Sequence, residues 1–112
     1  MPTNFAVMAG AAILLALQHA GQARAADAAF GEYLSGECVT CHSPVGADNG
    51  IPSIVGWPTD QFAAVMSSYR DKTRDNPIMQ TIAGRLTKEE VEALAAYFAT
   101  VKPSRCQLIG MC

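Results

Sequence analysis

The segment Cys38-Val39-Thr40-Cys41-His42 places two thiols and an imidazole within five residues. Two residues separate the cysteines, so on a helical path their thiols lie about one turn apart. That spacing lets both thiols bond to the vinyl groups on one edge of a porphyrin, and His42 then lies under the iron, where its imidazole can be the fifth ligand. C-x-x-C-H is typical of covalent haem c attachment. The sequence therefore predicts one covalent haem c with His42 as an axial ligand.

Three other kinds of chemistry compete for the same residues. A thioredoxin-like redox pair would need a βαβ pattern around the motif, and no β-rich alternation is present. A zinc site could also draw on Cys106 and Cys112, but the adjacent Cys41 and His42 could not easily bind one tetrahedral ion. A simple disulfide between Cys38 and Cys41 would leave His42 without a role. Haem attachment uses all three motif residues.

The sixth iron position separates electron transfer from ligand binding, because a second protein ligand closes the iron to other molecules. His19 lies in a segment that is expected to be removed, so a methionine thioether is the remaining soft ligand. Met66 falls on the apolar face of a predicted helix and is assigned to core packing. Met111 is the penultimate residue, in the C-terminal tail, and is not the favoured ligand. Met79 lies in a predicted loop, 37 positions after the motif histidine, and is the predicted sixth ligand. A haem enzyme or a gas sensor, each with an open iron, remains the alternative.

The N-terminus has the pattern of a secretory leader. Residues 5–17 are an uninterrupted run of apolar and small residues, too short to span a bilayer comfortably. Ala23-Arg24-Ala25 supplies an A-x-A site, so residues 1–25 are predicted to be a signal peptide that is cleaved at its end. An uncleaved membrane anchor is the alternative, because residues 1–4 contain no lysine or arginine.

Size and charge limit what the mature chain can do. Removing residues 1–25 from 112 leaves 87, and the loss of Arg24 moves the net charge from −2 to −3. A core of that size is marginal by itself, so a covalent haem would complete it. The acidic balance argues against a nucleic-acid-binding protein.

Three main helices must position the haem ligands. The first is predicted over residues 26–37 and leads into the motif. The second is predicted to have Thr59 or Asp60 as its N-cap. The third begins at a capping box, Thr87 to Glu90, and Pro103 ends it; its predicted buried face is Val91, Leu94, Ala95, Phe98 and Val101.

The segments between these helices are rich in glycine and proline. Residues 43–58 are predicted to be a loop, and Asn76-Pro77 is predicted to start another that continues to Gly84. Loops of this length are unusual in a small domain unless they wrap a cofactor. The predicted fold class is therefore all-α, with three main helices and long loops around one haem.

Four motifs in order resemble a small class I cytochrome c. They are CVTCH at 38–42, GIPSIVG at 50–56, NPIM at 76–79 and LAAYFA at 94–99. The resemblance is greatest to the haem subunit of flavocytochrome c sulfide dehydrogenase and to similar short periplasmic cytochromes. It covers residues 28–103, so the cytochrome domain is expected to span residues 26–103.

The resemblance implies several contacts. The Pro52 carbonyl would accept a hydrogen bond from the second ring nitrogen of His42 and strengthen that ligand. Trp57 and Tyr69 are candidates for contact with the haem propionates, with core packing as the alternative. Gly31 would cross the last helix closely. Because c-type haem is attached outside the bacterial inner membrane, the resemblance also implies a periplasmic protein.

The resemblance and the charge pattern together predict the function. A haem with His/Met ligation would be a one-electron carrier. Residues 38–59 form a rim with a single charged residue, Asp48, and they include Val45 and Val55. A charge-poor rim favours docking as a subunit on a periplasmic dehydrogenase, plausibly a flavoprotein that oxidises sulfide. A freely diffusing electron shuttle is the alternative.

The tail, residues 104–112, has no counterpart in the family pattern. It contains Cys106 and Cys112, six positions apart. In an oxidising compartment the pair is expected to close a disulfide loop, and a bond to a partner subunit is the alternative.

Overall fold

The computed structural model describes residues 27–45 and 50–110, except for the side chains of Cys106 and Gln107. The regular secondary structure of these residues is entirely helical, with no β-strand among them, which confirms the all-α fold class. Helix α1 covers residues 27–34, and five helices follow it: α2 (Gly36–Val39), α3 (Thr59–Arg70), α4 (Pro77–Arg85), α5 (Lys88–Thr100) and α6 (Arg105–Leu108). No helix in this part of the chain is long and apolar enough to cross a membrane. The predictions for residues 1–25, Asp48, Met111 and Cys112 lie outside the described residues.

The core lies between α3 and α5. Apolar residues recur at helical spacing on the facing sides of the two helices, which pack together along their length. Phe62 on α3 and Phe98 on α5 stack with their ring centroids 5.8 Å apart. Leu94 and Phe98 are the largest fully buried side chains, and Met66 is 6% exposed. Met66 is thus buried in the core, as predicted.

Helix α5 begins as the sequence predicts. The Thr87 side-chain oxygen accepts from the Glu90 backbone N–H at 3.2 Å, and the Glu90 carboxylate accepts from the Thr87 backbone N–H at 2.7 Å. Two donors that the first turn leaves without helical partners are thereby satisfied. Four of the five residues on its predicted buried face are buried; Val101, just past the helix end, is partly exposed.

Helix α1 crosses α5 at a glycine. A β-carbon at Gly31 would lie 2.0 Å from the Ala93 carbonyl oxygen and 2.8 Å from the Tyr97 β-carbon. Only glycine allows the two backbones this approach. The first helix ends earlier than predicted, because the chain turns at Ser35 before α2 continues the helical path into the motif.

The prediction that residues 76–84 form a loop is wrong. Helix α4 covers Pro77–Arg85. The Asn76 side-chain oxygen accepts from the Met79 backbone N–H at 3.0 Å, and Pro77 occupies the first helical position. Asparagine followed by proline is a favourable helix start, since proline has no N–H and its φ suits the first turn. The dipeptide therefore begins a helix here.

Candidate functional site

The CVTCH motif folds as one continuous helical path. After α2, the His42 N–H donates to the Cys38 carbonyl at 2.8 Å and the Cys41 N–H donates to the same oxygen at 3.2 Å. Cys38 and Cys41 therefore lie about one turn apart, and no disulfide, one of the alternatives above, joins them.

The orientation of His42 is fixed by a backbone carbonyl. Its Nδ1 lies 2.7 Å from the Pro52 oxygen, which is the contact that the resemblance implies. A carbonyl can only accept, so this bond assigns the proton to Nδ1. The lone pair of a neutral imidazole is then on Nε2, where it can bind a metal.

A cavity of about 270 Å³ lies beside the motif. Cys38, Cys41 and His42 line it, and α3, α4 and residues 50–57 supply the rest of its wall. The Cα atoms of α2 and α4 stay more than 8 Å apart, so the cavity separates these two helices. The surface is mostly apolar, and the side chains that line it include Ile51, Ile54, Phe62, Val65, Ile78 and Ile82.

Every predicted site residue borders this cavity. Pro52, Trp57, Tyr69 and Met79 all line it together with the motif. Met66 lines it as well, so position alone does not separate the two methionines. Nor does secondary structure, because Met79 lies on α4 and not in a loop.

Burial does distinguish the two methionines. Met66 is packed within the core between α3 and α5. Met79 is half-buried in the first turn of α4, packed against the edge of that core. Its thioether is therefore less tightly enclosed by other side chains.

Arg74 is a cavity residue that the sequence analysis missed. The stretch from Arg70 to Asp75 resembles a solvated helix end, but the structure folds it back on the site. The Arg74 Nε donates to the Tyr69 hydroxyl at 2.9 Å, and the guanidinium lies 5.3 Å from the centre of the Tyr69 ring. Of the described residues that line the cavity, Arg74 alone is a lysine or arginine.

A tight turn after α3 produces this arrangement. The Thr73 N–H donates to the Ser68 carbonyl and the Lys72 N–H to the Tyr69 carbonyl, with Lys72 in the left-handed region at φ 58°. These bonds form the helix-ending motif that usually has glycine at the left-handed position. Because this position is lysine, the sequence lacks the glycine that would predict the turn, and with it the return of Arg74 to Tyr69.

The electrostatics of Cys38 do not suit a redox dithiol. Burial raises the pKa of the Cys38 thiol, and the neighbouring Glu37 carboxylate raises this pKa further. A thioredoxin-like pair needs a lowered pKa, because the thiolate is the nucleophile. Among the described residues, no three His, Cys, Asp or Glu side chains lie close enough together to hold a metal ion.

The residues present fit a haem c. Two thiols one turn apart can form its thioether bonds, and an imidazole beside them has Nε2 available for iron. The neighbouring cavity is apolar, as the porphyrin faces require. Arg74 and Tyr69 add polar donors within that apolar lining.

Several known haem proteins are similar to this chain in sequence. Cytochrome c-554(548) of Halomonas halodenitrificans is 31% identical over 81 residues, which are 68% of this chain and 98% of that protein. The chain belongs to the cytochrome c family. It is a small class I cytochrome c that carries covalent haem c, and its single CxxCH motif accounts for one haem. No protein-family model matches the chain.

Two longer relatives bear a more specific name. The thiosulfate dehydrogenase electron acceptor of Thiomonas intermedia is 34% identical over 70 residues, 60% of this chain and 32% of that protein. The protein of the same name from Stutzerimonas stutzeri is 37% identical over 70 residues, 58% of this chain and 32% of its own length. The cytochrome matches about a third of the length of these two relatives.

Proposed function

We propose that this cytochrome is a periplasmic one-electron carrier with His42 and Met79 as axial ligands. The observation that carries the proposal is that both side chains border one cavity while Pro52 holds the Nδ1 of His42. When bound, haem supplies an Fe(II)/Fe(III) couple. The protein residues hold it, orient its ligands and limit access to it.

His42 is the proximal ligand in this proposal. The hydrogen bond to Pro52 holds the Nδ1 proton, which leaves Nε2 as the nitrogen that can bind iron, and it fixes the plane of the ring. Because the acceptor is a backbone atom, the orientation of the ring does not depend on a second side chain.

Met79 is favoured over Met66 as the distal ligand. Met66 also borders the cavity, but it is 6% exposed and packed in the core, so its thioether has little freedom to move toward iron. Met79 is only half-buried and borders the cavity from the first turn of α4. A thioether ligand raises the reduction potential and closes the iron to small molecules, which suits a carrier better than a haem enzyme or a gas sensor.

Arg74, Tyr69 and Trp57 are proposed to meet the haem propionates. All three border the cavity, and each offers an N–H or O–H donor. The Tyr69 hydroxyl already accepts from Arg74, so its own proton can be donated outward. Charge-assisted bonds from a guanidinium to a carboxylate are among the stronger ones in proteins.

The surface near the cavity favours a protein partner. Residues 50–59 contain no charged side chain. Ile78, which lines the cavity, is 72% exposed, and Val45 is 60% exposed. Val55, expected on this rim, is instead buried in the core at 7% exposure, so that part of the prediction is wrong. An exposed apolar residue beside the site favours a desolvated contact over purely electrostatic docking.

The donor is proposed to be a periplasmic dehydrogenase that oxidises an inorganic sulfur compound. The names of two relatives favour thiosulfate dehydrogenase. The sulfide-oxidising flavoprotein that the sequence resemblance implies is the second candidate. The predicted leader of residues 1–25 supports the location.

Reduction kinetics test the partner proposal. The holo-protein is mixed with thiosulfate dehydrogenase or with a sulfide-oxidising flavoprotein, and haem reduction is followed against ionic strength. For a docked subunit we expect fast reduction by one enzyme and little dependence on salt. Ile78→Lys should slow it about tenfold or more, because an unpaired ammonium would enter the contact.

Ile109→Lys is the matched control, since Ile109 is 60% exposed and does not line the cavity. It should leave the rate unchanged. A rate that falls steeply with salt, with equal and small effects of the two lysines, would favour the diffusing shuttle. No reduction by either enzyme would reject both donor candidates.

A further inference from the structure

Helix α4 is too short to be stable alone. It has nine residues, and isolated helices below about 12–15 residues are marginal in water. Its first turn is capped by Asn76. Its last carbonyl groups have no partner within the helix, so the C-terminal end needs donors from elsewhere.

Arg70 supplies those donors from another helix. It is the last residue of α3, and its Nε donates to the Ala83 carbonyl oxygen at 3.3 Å. Its Nη2 donates to the carbonyl oxygen of Leu86, the residue that follows α4. One guanidinium therefore bonds two carbonyl groups at the C-terminal end of α4, where a cation also complements the helix dipole.

The contact with Arg70 matters because α4 has few other contacts with the rest of the protein. Of helices α2–α6, only α3 approaches α4 closely. A second polar link, Arg85 to Glu37 at 3.8 Å, joins two side chains that are 63% and 79% exposed. Such an exposed pair contributes little. The hydrogen bonds from Arg70 are thus the main polar contacts between the C-terminal end of α4 and the rest of the fold.

We infer that Arg70 is a positioning residue for the distal iron ligand. Met79, Ile78 and Ile82 border the cavity from α4, and Met79 lies in the turn that precedes Ala83. When Arg70 is lost, the last turn of α4 frays and the whole short helix is less firmly held against α3. The Met79 thioether then leaves the iron more often. This inference rests on the proposed His42/Met79 ligation.

The test compares Arg70→Met with Arg85→Met. Arg70→Met keeps the aliphatic stem and removes every donor, and Arg85→Met removes the exposed ion pair on the same helix. Imidazole is titrated into the ferric holo-proteins, because it binds only while Met79 is dissociated. Its apparent affinity is proportional to the open fraction. Losing two hydrogen bonds to the helix end should raise this affinity about tenfold. Arg85→Met should stay within about twofold of the wild type.

A double variant separates positioning from general stability. In Met79→Ala the iron is already open, so adding Arg70→Met should not tighten imidazole binding further. An Arg70→Met protein that melts at a lower temperature but binds imidazole with wild-type affinity would overturn the inference. So would an equal rise in the Met79→Ala background.

The proposed ligation fails by a different result. If Met79→Ala keeps the sulfur–iron(III) charge-transfer band, Met79 is not the ligand, whatever Arg70 does. If Arg70→Met yields too little holo-protein, Arg70→Lys serves in its place. Lysine can reach one carbonyl, so we expect an intermediate rise of about threefold, and no rise would overturn the inference.

Discussion

The two sides of the haem cavity are held in place by different kinds of contact. The side that carries His42 is built from consecutive residues, and one carbonyl ten positions away orients the imidazole. The side that carries Met79 is a separate short helix. It depends on a cap at one end and on Arg70 of α3 at the other. The first side is therefore set by local geometry, whereas the second is set by packing between helices. Perturbations should affect the two sides unequally.

The largest effect is expected from removing an attachment thiol. Cys38→Ala or Cys41→Ala leaves at most one thioether, so covalent haem should be strongly reduced or absent. Without the ring the small core is marginal, and the apo-protein should be largely unfolded. Acid–acetone extraction and circular dichroism check both points. Wild-type protein that releases its haem on extraction, or a cooperatively melting apo form, would contradict this expectation.

Alanine substitutions of Met79 and Met66 compare the role of an iron ligand with that of a core residue. Met79→Ala should abolish the sulfur–iron(III) band, lower the potential and open the iron to carbon monoxide or cyanide. Met66→Ala should cost about 2–5 kcal/mol of unfolding free energy, because it leaves a cavity in the core, while the band persists. Absorption spectra, ligand titration and denaturant unfolding measure these effects. The reverse pattern would make Met66 the ligand.

The glycine pair tests how the His42 side is anchored. Gly31→Ala should destabilise the holo-protein by about 1–3 kcal/mol, because its new β-carbon would meet the Ala93 carbonyl oxygen. Gly36→Ala is the control, since a β-carbon there has no neighbour within 4 Å. In a helix it should stabilise by about 0.4–1 kcal/mol. Equal effects in denaturant unfolding would mean that the helix crossing is not tight.

The smallest effects come from the two helix caps. Asn76→Ala and Thr87→Ala should each cost about 1 kcal/mol in denaturant unfolding, since each removes a side-chain acceptor from a helix start. Only Asn76→Ala should also weaken the sulfur–iron(III) band, because the lost bond is to the Met79 N–H. Equal band intensities in the two variants would show that the α4 cap does not affect the ligand.

Features set by local geometry could be predicted from the sequence, whereas features set by packing between helices could not. The CVTCH path, the core face of α5 and its capping box each depend on residues close together in the chain, and the structure has them as predicted. Asn76-Pro77 is ambiguous in the sequence because the same dipeptide can break a helix or begin one. Which occurs depends on whether the following residues can pack, and here Ala83 is completely buried.

The role of Arg74 was hidden for a related reason. Its neighbours form a mixed-charge run that is typical of a solvated end. Its return to Tyr69 depends on Lys72 adopting a positive φ without being glycine. Such a turn is stabilised by hydrogen bonds to α3, so no local residue preference reveals it.

The attachment of α4 has a consequence for how such a protein can change over time. Residues 76–86 join their neighbours through short connections and, among α2–α6, pack closely on α3 alone. Substitutions in this segment therefore disturb few contacts with the other helices. With the proposed His42/Met79 ligation, substitutions within it can alter the distal ligand and the driving force of the redox reaction while the thioether linkages and His42 remain intact. Selection can in this way retune a single scaffold for donors of different potential without rebuilding the site that receives the cofactor.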